Sequence, residues 1–187
     1  MSMIGKKVAP FAAQAFVNGD FKEITDADLK GQWSVFFFYP ADFTFVCPTE
    51  LEDLADEYEN FKKIGCEIFS VSTDTHFTHK AWHDASPAIK KVKYPMLADA
   101  SHVLSKDFDV LLEGDGLALR GTFIVNPDAE IVAYEIHSLG IGRNSVELLR
   151  KVQAAQFIAA GNGEVCPARW TPDKDAMTPS IDLIGKI

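Results

Sequence analysis

The sequence predicts an α/β fold, a mixed sheet flanked by helices, on three observations. Aromatic and β-branched runs of strand length alternate with amphipathic helical stretches through most of the chain, which calls for parallel strands joined by crossovers. Two later strand-like runs are separated only by a short turn around Asn126-Pro127-Asp128 and must pair antiparallel. The 187 residues, 47% hydrophobic and 24% charged, have an ordinary globular profile and can bury about 70% of their unfolded surface without a disulfide or metal staple.

The elements follow in order. Residues 33–39 (WSVFFFY) form a continuous apolar run ending at Pro40, the pattern of a strand buried on both faces. Residues 48–63 place Leu51, Leu54, Ala55, Tyr58 and Phe61 at helical spacing, and Gly65 ends that helix. Residues 66–72 (CEIFSVS) read as a second buried strand. A helix follows over 75–91, which Pro87 breaks or ends. A short strand at 94–97 and a short helix at 102–108 come next. Strands 121–125 and 130–136 form the antiparallel pair, and the last helix covers 144–160 with Leu148, Val152, Ala155 and Ala159 on one stripe. Beyond Gly161-Asn162-Gly163 the composition turns to Pro, Thr, Asp and Lys. The expected organisation is therefore one domain over 1–160 and an extended C-terminal tail over 161–187.

Composition excludes several classes of function. Lys and Arg number 18 against 27 Asp and Glu, a formal charge of −9, which repels phosphate backbones and anionic lipid and argues against nucleic-acid or membrane binding. No apolar run approaches the roughly 18–20 residues that span a bilayer. Lys6-Lys7 before the apolar stretch 8–17 faintly mimics an export signal, but Pro10 and Gln14 interrupt it and no leucine-rich core follows. The expected location is the cytoplasm. Three cysteines are too few for a secreted disulfide scaffold.

Cys47 stands between the first strand and an amphipathic helix, directly before Pro48, a residue favoured in a first helical turn. Free amides and the positive end of the helix dipole are expected near its sulfur, a setting that favours the nucleophilic thiolate. Position alone equally allows a buried cysteine filling the junction. Thr44 brings a hydroxyl to the same loop, as reactant or as helix cap. A thiol of ordinary pKa is only about 3% ionised at pH 7, so full ionisation gains ~30-fold, or ~2 kcal/mol of barrier. Faster chemistry needs donors aimed at developing charge. Arg120, opening a strand, and Arg143, just before the last helix, are candidates, although each taken alone reads first as a surface arginine. Cys166 repeats the Val-Cys-Pro tripeptide inside the tail, where it suits a resolving thiol that travels to an oxidised partner or is merely exposed. Cys66 opens a buried strand and reads as structural. His76, His79 and His83 share one helical face, which allows a metal-binding reading or three interface histidines with no evident carboxylate partner. Gly140-Ile141-Gly142 resembles a fragment of a phosphate loop but lacks both a third glycine and the lysine-serine ending.

The run from Phe38 through Pro40, Thr44, Cys47 and Pro48 to Glu50 (FYPADFTFVCPTE) resembles the active-site signature of typical two-cysteine peroxiredoxins. Residues 163–168 (GEVCPA) resemble their resolving-cysteine segment. Residues 70–82 and the closing LIGKI are similar to the bacterial alkyl hydroperoxide reductase type. The resemblance spans essentially the whole chain and implies a thioredoxin-like fold and a peroxidase acting on hydrogen peroxide and organic hydroperoxides. It casts Cys47 as the thiolate oxidised to sulfenic acid, Pro40 as its shield and Thr44 as the hydrogen-bonding partner of the peroxide. Arg120 would stabilise the thiolate and the departing oxygen, with Glu50 and Arg143 as a supporting ion network. Cys166 of a neighbouring subunit would close an intersubunit Cys47–Cys166 disulfide. The resemblance further implies a homodimer, often assembled as a pentamer of dimers. No metal or bound cofactor is implied, and electrons would come from NADH through a separate flavoprotein disulfide reductase, or from thioredoxin. The chain lacks a Gly-Gly-Leu-Gly segment between Trp82 and Pro95 and a Tyr-Phe pair near its end, which implies resistance to overoxidation. Two other functions stay in view, a holdase chaperone and a metal-binding protein using the histidine face with Cys47.

Overall fold

The computed structural model describes residues 2–186. Two compact units divide it, the first ending at Ser145 and the second beginning at Val146. The last helix thus groups with the tail, whereas the sequence placed a boundary after residue 160.

The first unit is built on a seven-stranded mixed sheet. Its strands in chain order are β1 (Ala12–Val17), β2 (Asp20–Thr25), β3 (Trp33–Phe38), β4 (Cys66–Ser72), β5 (Met96–Ala98), and, after a two-stranded ribbon of β6 (Leu111–Leu112) and β7 (Leu117–Ala118), β8 (Arg120–Val125) and β9 (Ile131–His137). The spatial order is β2-β1-β5-β4-β3-β8-β9. The β3–β4 and β4–β5 pairs are parallel, as their helical crossovers require, and the remaining pairs are antiparallel. The helices are α1 (Cys47–Lys63), α2 (His76–Ala85), α3 (Val103–Asp107) and α4 (Ser145–Ala159). This is the mixed, helix-flanked, thioredoxin-like α/β arrangement expected.

Local chemistry explains the boundaries. Pro48 occupies the first turn of α1, and Lys62 and Lys63 lie at its last turn, where cations complement the dipole. Gly65 then takes φ +68, the left-handed conformation that releases the chain directly into β4. The helix expected over 75–91 stops at Ala85, because Pro87 cannot continue it, and resumes only as a 3-10 turn, Ile89–Lys91. The apolar stretch 8–17 is no leader-like helix. It contributes β1 of a hairpin whose two-residue turn, Asn18-Gly19, has φ +50 and +90, a combination natural to Asn-Gly.

The 14 phenylalanines find their reason in the core. Phe36 and Phe38, alternate residues of β3, point to one face of the sheet and meet Phe108 at ring-centroid distances of 4.9 and 5.1 Å. Phe108 in turn meets Phe123 at 4.8 Å in an edge-on contact. Such rings fill large volume at little rotamer cost, and this cluster fixes β3 against β8.

Within the second unit the tail is less extended than its composition suggests. Val165 and Met177 exchange both backbone hydrogen bonds, at 2.8 and 3.0 Å, and residues Ile181–Leu183 make a 3-10 turn. Among the described residues no helix is long and apolar enough to cross a membrane.

Candidate active site

Cys47 is the first residue of α1 and its side chain is buried, in a residue 1% exposed. Two of the first-turn amides expected near the sulfur turn elsewhere. The amides of Thr49 and Glu50 both donate to the Val46 carbonyl, at 3.1 and 3.2 Å, so the first turn closes on itself. Positive charge reaches the sulfur from elsewhere: Arg120 Nη1 lies 3.5 Å from Cys47 Sγ.

That guanidinium is held on several sides. Its Nη1 also donates to Glu50 Oε2 at 2.6 Å, and its Nε donates to the Leu139 carbonyl at 2.8 Å. Glu50 is shared with Arg143, whose backbone N and Nε donate to Oε1 at 2.9 and 2.8 Å and whose Nη2 donates to Oε2 at 3.1 Å. Arg143 Nη1 donates to the Gly121 carbonyl and to Thr122 Oγ1. Its guanidinium lies 3.3 Å from the Phe37 ring centroid, a cation–π contact. The three charged side chains are at most 4% exposed. Burial pulls the Arg143 guanidinium below its ordinary pKa, and the hydrogen-bonded Glu50 opposes that pull. Two cations and one anion leave a unit positive charge facing the sulfur. Glu50 itself sits three residues after Cys47, one helical turn along α1, so a single helix delivers both the thiol and the anion that orients its arginines.

Gly121 belongs to the same frame. A Cβ built there would lie 2.7 Å from Val110 Cγ1 and 2.8 Å from Phe123, closer than packed atoms allow. Only glycine lets β8 pass here with its carbonyl on Arg143.

The loop from Pro40 to Val46 carries Thr44, and Pro40 is buried at its start. Thr44 Oγ1 donates to the Ala41 carbonyl at 2.9 Å, so it does not cap α1. Phe43 adopts φ +55, unusual for a bulky residue, and it is 56% exposed beside Phe45 at 92%. Asp42 anchors this conformation. Its Oδ1 accepts from the Tyr39 hydroxyl at 2.7 Å, its Oδ2 meets His79 Nδ1 at 2.8 Å, and its amide donates to Asp74 Oδ2 at 2.9 Å. His79 Nε2 faces the Leu97 carbonyl at 3.1 Å. A carbonyl only accepts, so Nε2 carries a proton and a further proton bridges Nδ1 and Oδ2. Burial raises the Asp42 carboxyl and the Tyr39 phenol; the His79 hydrogen bond draws Asp42 back down.

The histidines therefore do not act together. His79 has the carboxylate partner that spacing did not reveal, His76 packs edge-on to Phe21 at 4.7 Å, and His83 packs against Phe16 at 5.0 Å. Among the described residues no group of three or more His, Cys, Asp or Glu is placed to hold a metal. Asp42, Tyr39, Thr122, Gly121 and Phe37 all escaped sequence reasoning, and His79 was singled out only as a metal ligand, not as the partner of Asp42. Only Asp42 carried a signal, an acid inside the signature loop.

The other two cysteines have different surroundings. Cys66 is buried at the start of β4, and desolvation pushes its thiol well above the ordinary value. Cys166, in the second unit, is half-buried with its Sγ 3.9 Å from the Ala154 carbonyl. Partial desolvation raises its pKa and the nearby Arg150 opposes this.

Comparison with known proteins places this geometry. The AhpC/TSA family model matches residues 4–134. Alkyl hydroperoxide reductase C of Bacillus subtilis is 58% identical over 187 residues, covering all of both chains. Among solved structures, Enterococcus faecalis AhpC superposes with a TM-score of 0.87 at 49% identity, over 89% of this chain and all of that one. The reduced 2-Cys peroxiredoxin of Plasmodium vivax gives 0.92 at 32% identity, over 97% and 96%. A full-length relative at this identity and a family model covering most of the chain settle the matter: the chain belongs to the AhpC/TSA family and is a thiol-dependent peroxidase of the peroxiredoxin class.

Proposed function

We propose that Cys47 is the peroxidatic residue, and the observation that carries this is Arg120 Nη1 at 3.5 Å from a buried Sγ within a network of net positive charge. The thiolate attacks the terminal oxygen of a hydroperoxide. The O–O bond breaks, the sulfur becomes sulfenic acid, and the departing alkoxide or hydroxide takes a proton and leaves as alcohol or water. Arg120 stabilises negative charge first on sulfur and then on the departing oxygen. Thr44 hydrogen-bonds the incoming peroxide, Pro40 limits solvent access, and Glu50 with Arg143 holds Arg120 in register.

Cys166 of a neighbouring subunit then attacks the sulfenic sulfur, releasing water and closing a Cys47–Cys166 disulfide. In this reading the first 160 residues carry the peroxidase site and residues 161–187 carry the resolving thiol. The working form is a homodimer, assembled as five dimers. The Cys47 chemistry needs no bound cofactor. Electrons return from NADH through a flavoprotein disulfide reductase, or from thioredoxin, in the cytoplasm. Hydrogen peroxide and organic hydroperoxides are both substrates, the exposed Phe43 and Phe45 giving the loop an apolar rim for the latter.

Non-reducing intact mass of reduced protein mixed with one equivalent of hydrogen peroxide per subunit tests the cycle. A covalent dimer mapping to Cys47–Cys166 and reversed by dithiothreitol is the expected product. A monomer with three free thiols would overturn the assignment.

A further inference from the structure

The face of α4 that carries Arg150, Ala154 and Phe157 holds the turn containing Cys166. These residues stand at i, i+4 and i+7, one stripe of a helix, distinct from the Leu148–Val152 stripe. The Cys166 thiol rests at the Ala154 carbonyl. The Trp170 ring packs on Phe157 with centroids 5.0 Å apart. Arg150 Nη1 donates to the Trp170 carbonyl at 3.0 Å, while its Nε and Nη2 are held by Glu147 at 2.7 and 2.8 Å. Trp170 also donates its amide to the Pro167 carbonyl, which tightens the segment into a turn around Arg169 at φ +60.

We propose that Arg150 is a positioning residue for the resolving step: by pinning the Trp170 carbonyl it clasps the Cys166–Trp170 turn to α4 and governs how fast Cys166 is released to meet the sulfenic acid. The inference rests on the reading of Cys166 as resolving thiol. The clasp is built to open. Trp170 is 3% exposed, yet its indole Nε1 is buried with no hydrogen-bond partner, so release returns that donor to water and offsets part of the lost packing. Arg150 opposes this by supplying a charge-assisted bond, already pre-oriented by Glu147 so that little side-chain entropy remains to be lost. A thiol that leaves too slowly exposes the sulfenic acid to a second peroxide. One that never docks would leave Cys166 open to other oxidants. The Arg150–Trp170 hydrogen bond shifts that balance toward the docked turn.

The test follows disulfide formation by rapid quench and non-reducing separation after one equivalent of peroxide, in full-length protein. Arg150→Met keeps the aliphatic stem and removes the fork. It should accelerate disulfide formation about three- to tenfold, with peroxide consumption in the first step unchanged, and should raise by a similar factor the peroxide needed to convert half of Cys47 to sulfinic acid. Arg150→Lys should lie between it and wild type. Glu147→Gln, which leaves the guanidinium in place but frees it, should give a smaller acceleration and guards against a folding failure of the first variant. Wild-type or slower disulfide formation in Arg150→Met, with the first step intact, overturns the clasp while leaving the resolving role of Cys166 untouched. If wild-type protein forms no Cys47–Cys166 disulfide, the underlying reading fails instead.

Discussion

The same tripeptide, Val-Cys-Pro, occurs in both units and meets opposite physics. At Cys47 it opens a 17-residue helix, with the thiol buried and a guanidinium at 3.5 Å held by an ion network whose every charge is satisfied. At Cys166 it lies in a turn held to α4 by the Arg150–Trp170 hydrogen bond and the Phe157–Trp170 ring contact, with the thiol half-buried against a backbone carbonyl. Sequence around a cysteine does not set its chemistry. The difference lies in how many elements converge on the sulfur: β8, the segment before α4 and α1 itself at Cys47, against one helix face at Cys166. Convergence makes a fixed electrostatic site, and the thinner contacts at Cys166 fit the travelling thiol proposed above.

Substituting the two thiols breaks the comparison most completely. Cys47→Ser should abolish turnover, whereas Cys166→Ser should consume one peroxide per subunit and stall as sulfenic acid, detectable by mass as a gain of one oxygen. Equal activity in wild type and Cys47→Ser would remove the distinction altogether. The network comes next. Glu50→Gln leaves two buried guanidinium groups facing a neutral amide, and loss of such a partner costs about 3–5 kcal/mol; urea unfolding should show it, with peroxide reduction falling in parallel. No comparable loss is expected from neutralising Glu147 in the second unit, where the ion pair is solvent-exposed.

Thr44→Val tests the loop, removing the hydroxyl assigned to the peroxide. It should lower kcat/KM by about a hundredfold while Thr44→Ser stays near wild type; equal loss in both would point to packing instead. The smallest effect belongs to Cys66, and it depends on pH. Below the ordinary thiol pKa of ~8.5, Cys66 is protonated folded and unfolded and contributes no slope. Above it the unfolded chain gives up a proton that the buried, upward-shifted thiol keeps, so stability falls as pH rises, by at most about 1.36 kcal/mol per unit. Cys66→Val should match wild type at pH 7 and retain, by pH 9.5, about 1.4 kcal/mol that wild type loses. Identical pH profiles would refute the buried-thiol account.

Local pattern carried much of the fold. β4 falls on the residues expected because Gly65 and a run of strand-formers bound it, and α1 is misjudged by one residue only. The N-terminal hairpin was hidden by reading residues 8–17 as an apolar segment, although Asn18-Gly19 is a strong turn signal. In the site, Cys47 and Glu50 were legible together because they share a helix. Arg120 and Arg143 were legible as positions but not as neighbours, since their meeting depends on β8 pairing with β3, a long-range register that no window contains. His79 and Asp42 stand 37 residues apart and meet only when β4 and β3 lie side by side. The tail's composition signalled irregular backbone correctly and concealed that Trp170 would dock it.

Gly121 has a consequence for anyone interpreting variants of this chain. It bears no functional group, donates nothing to substrate and lies on a strand far in sequence from both Cys47 and Cys166. Yet any side chain there must displace Val110 and Phe123 and drag the carbonyl that aims Arg143. In a mutational scan, position 121 should therefore score like a catalytic position, and even alanine, the mildest replacement, should be read as an active-site lesion rather than as harmless polymorphism.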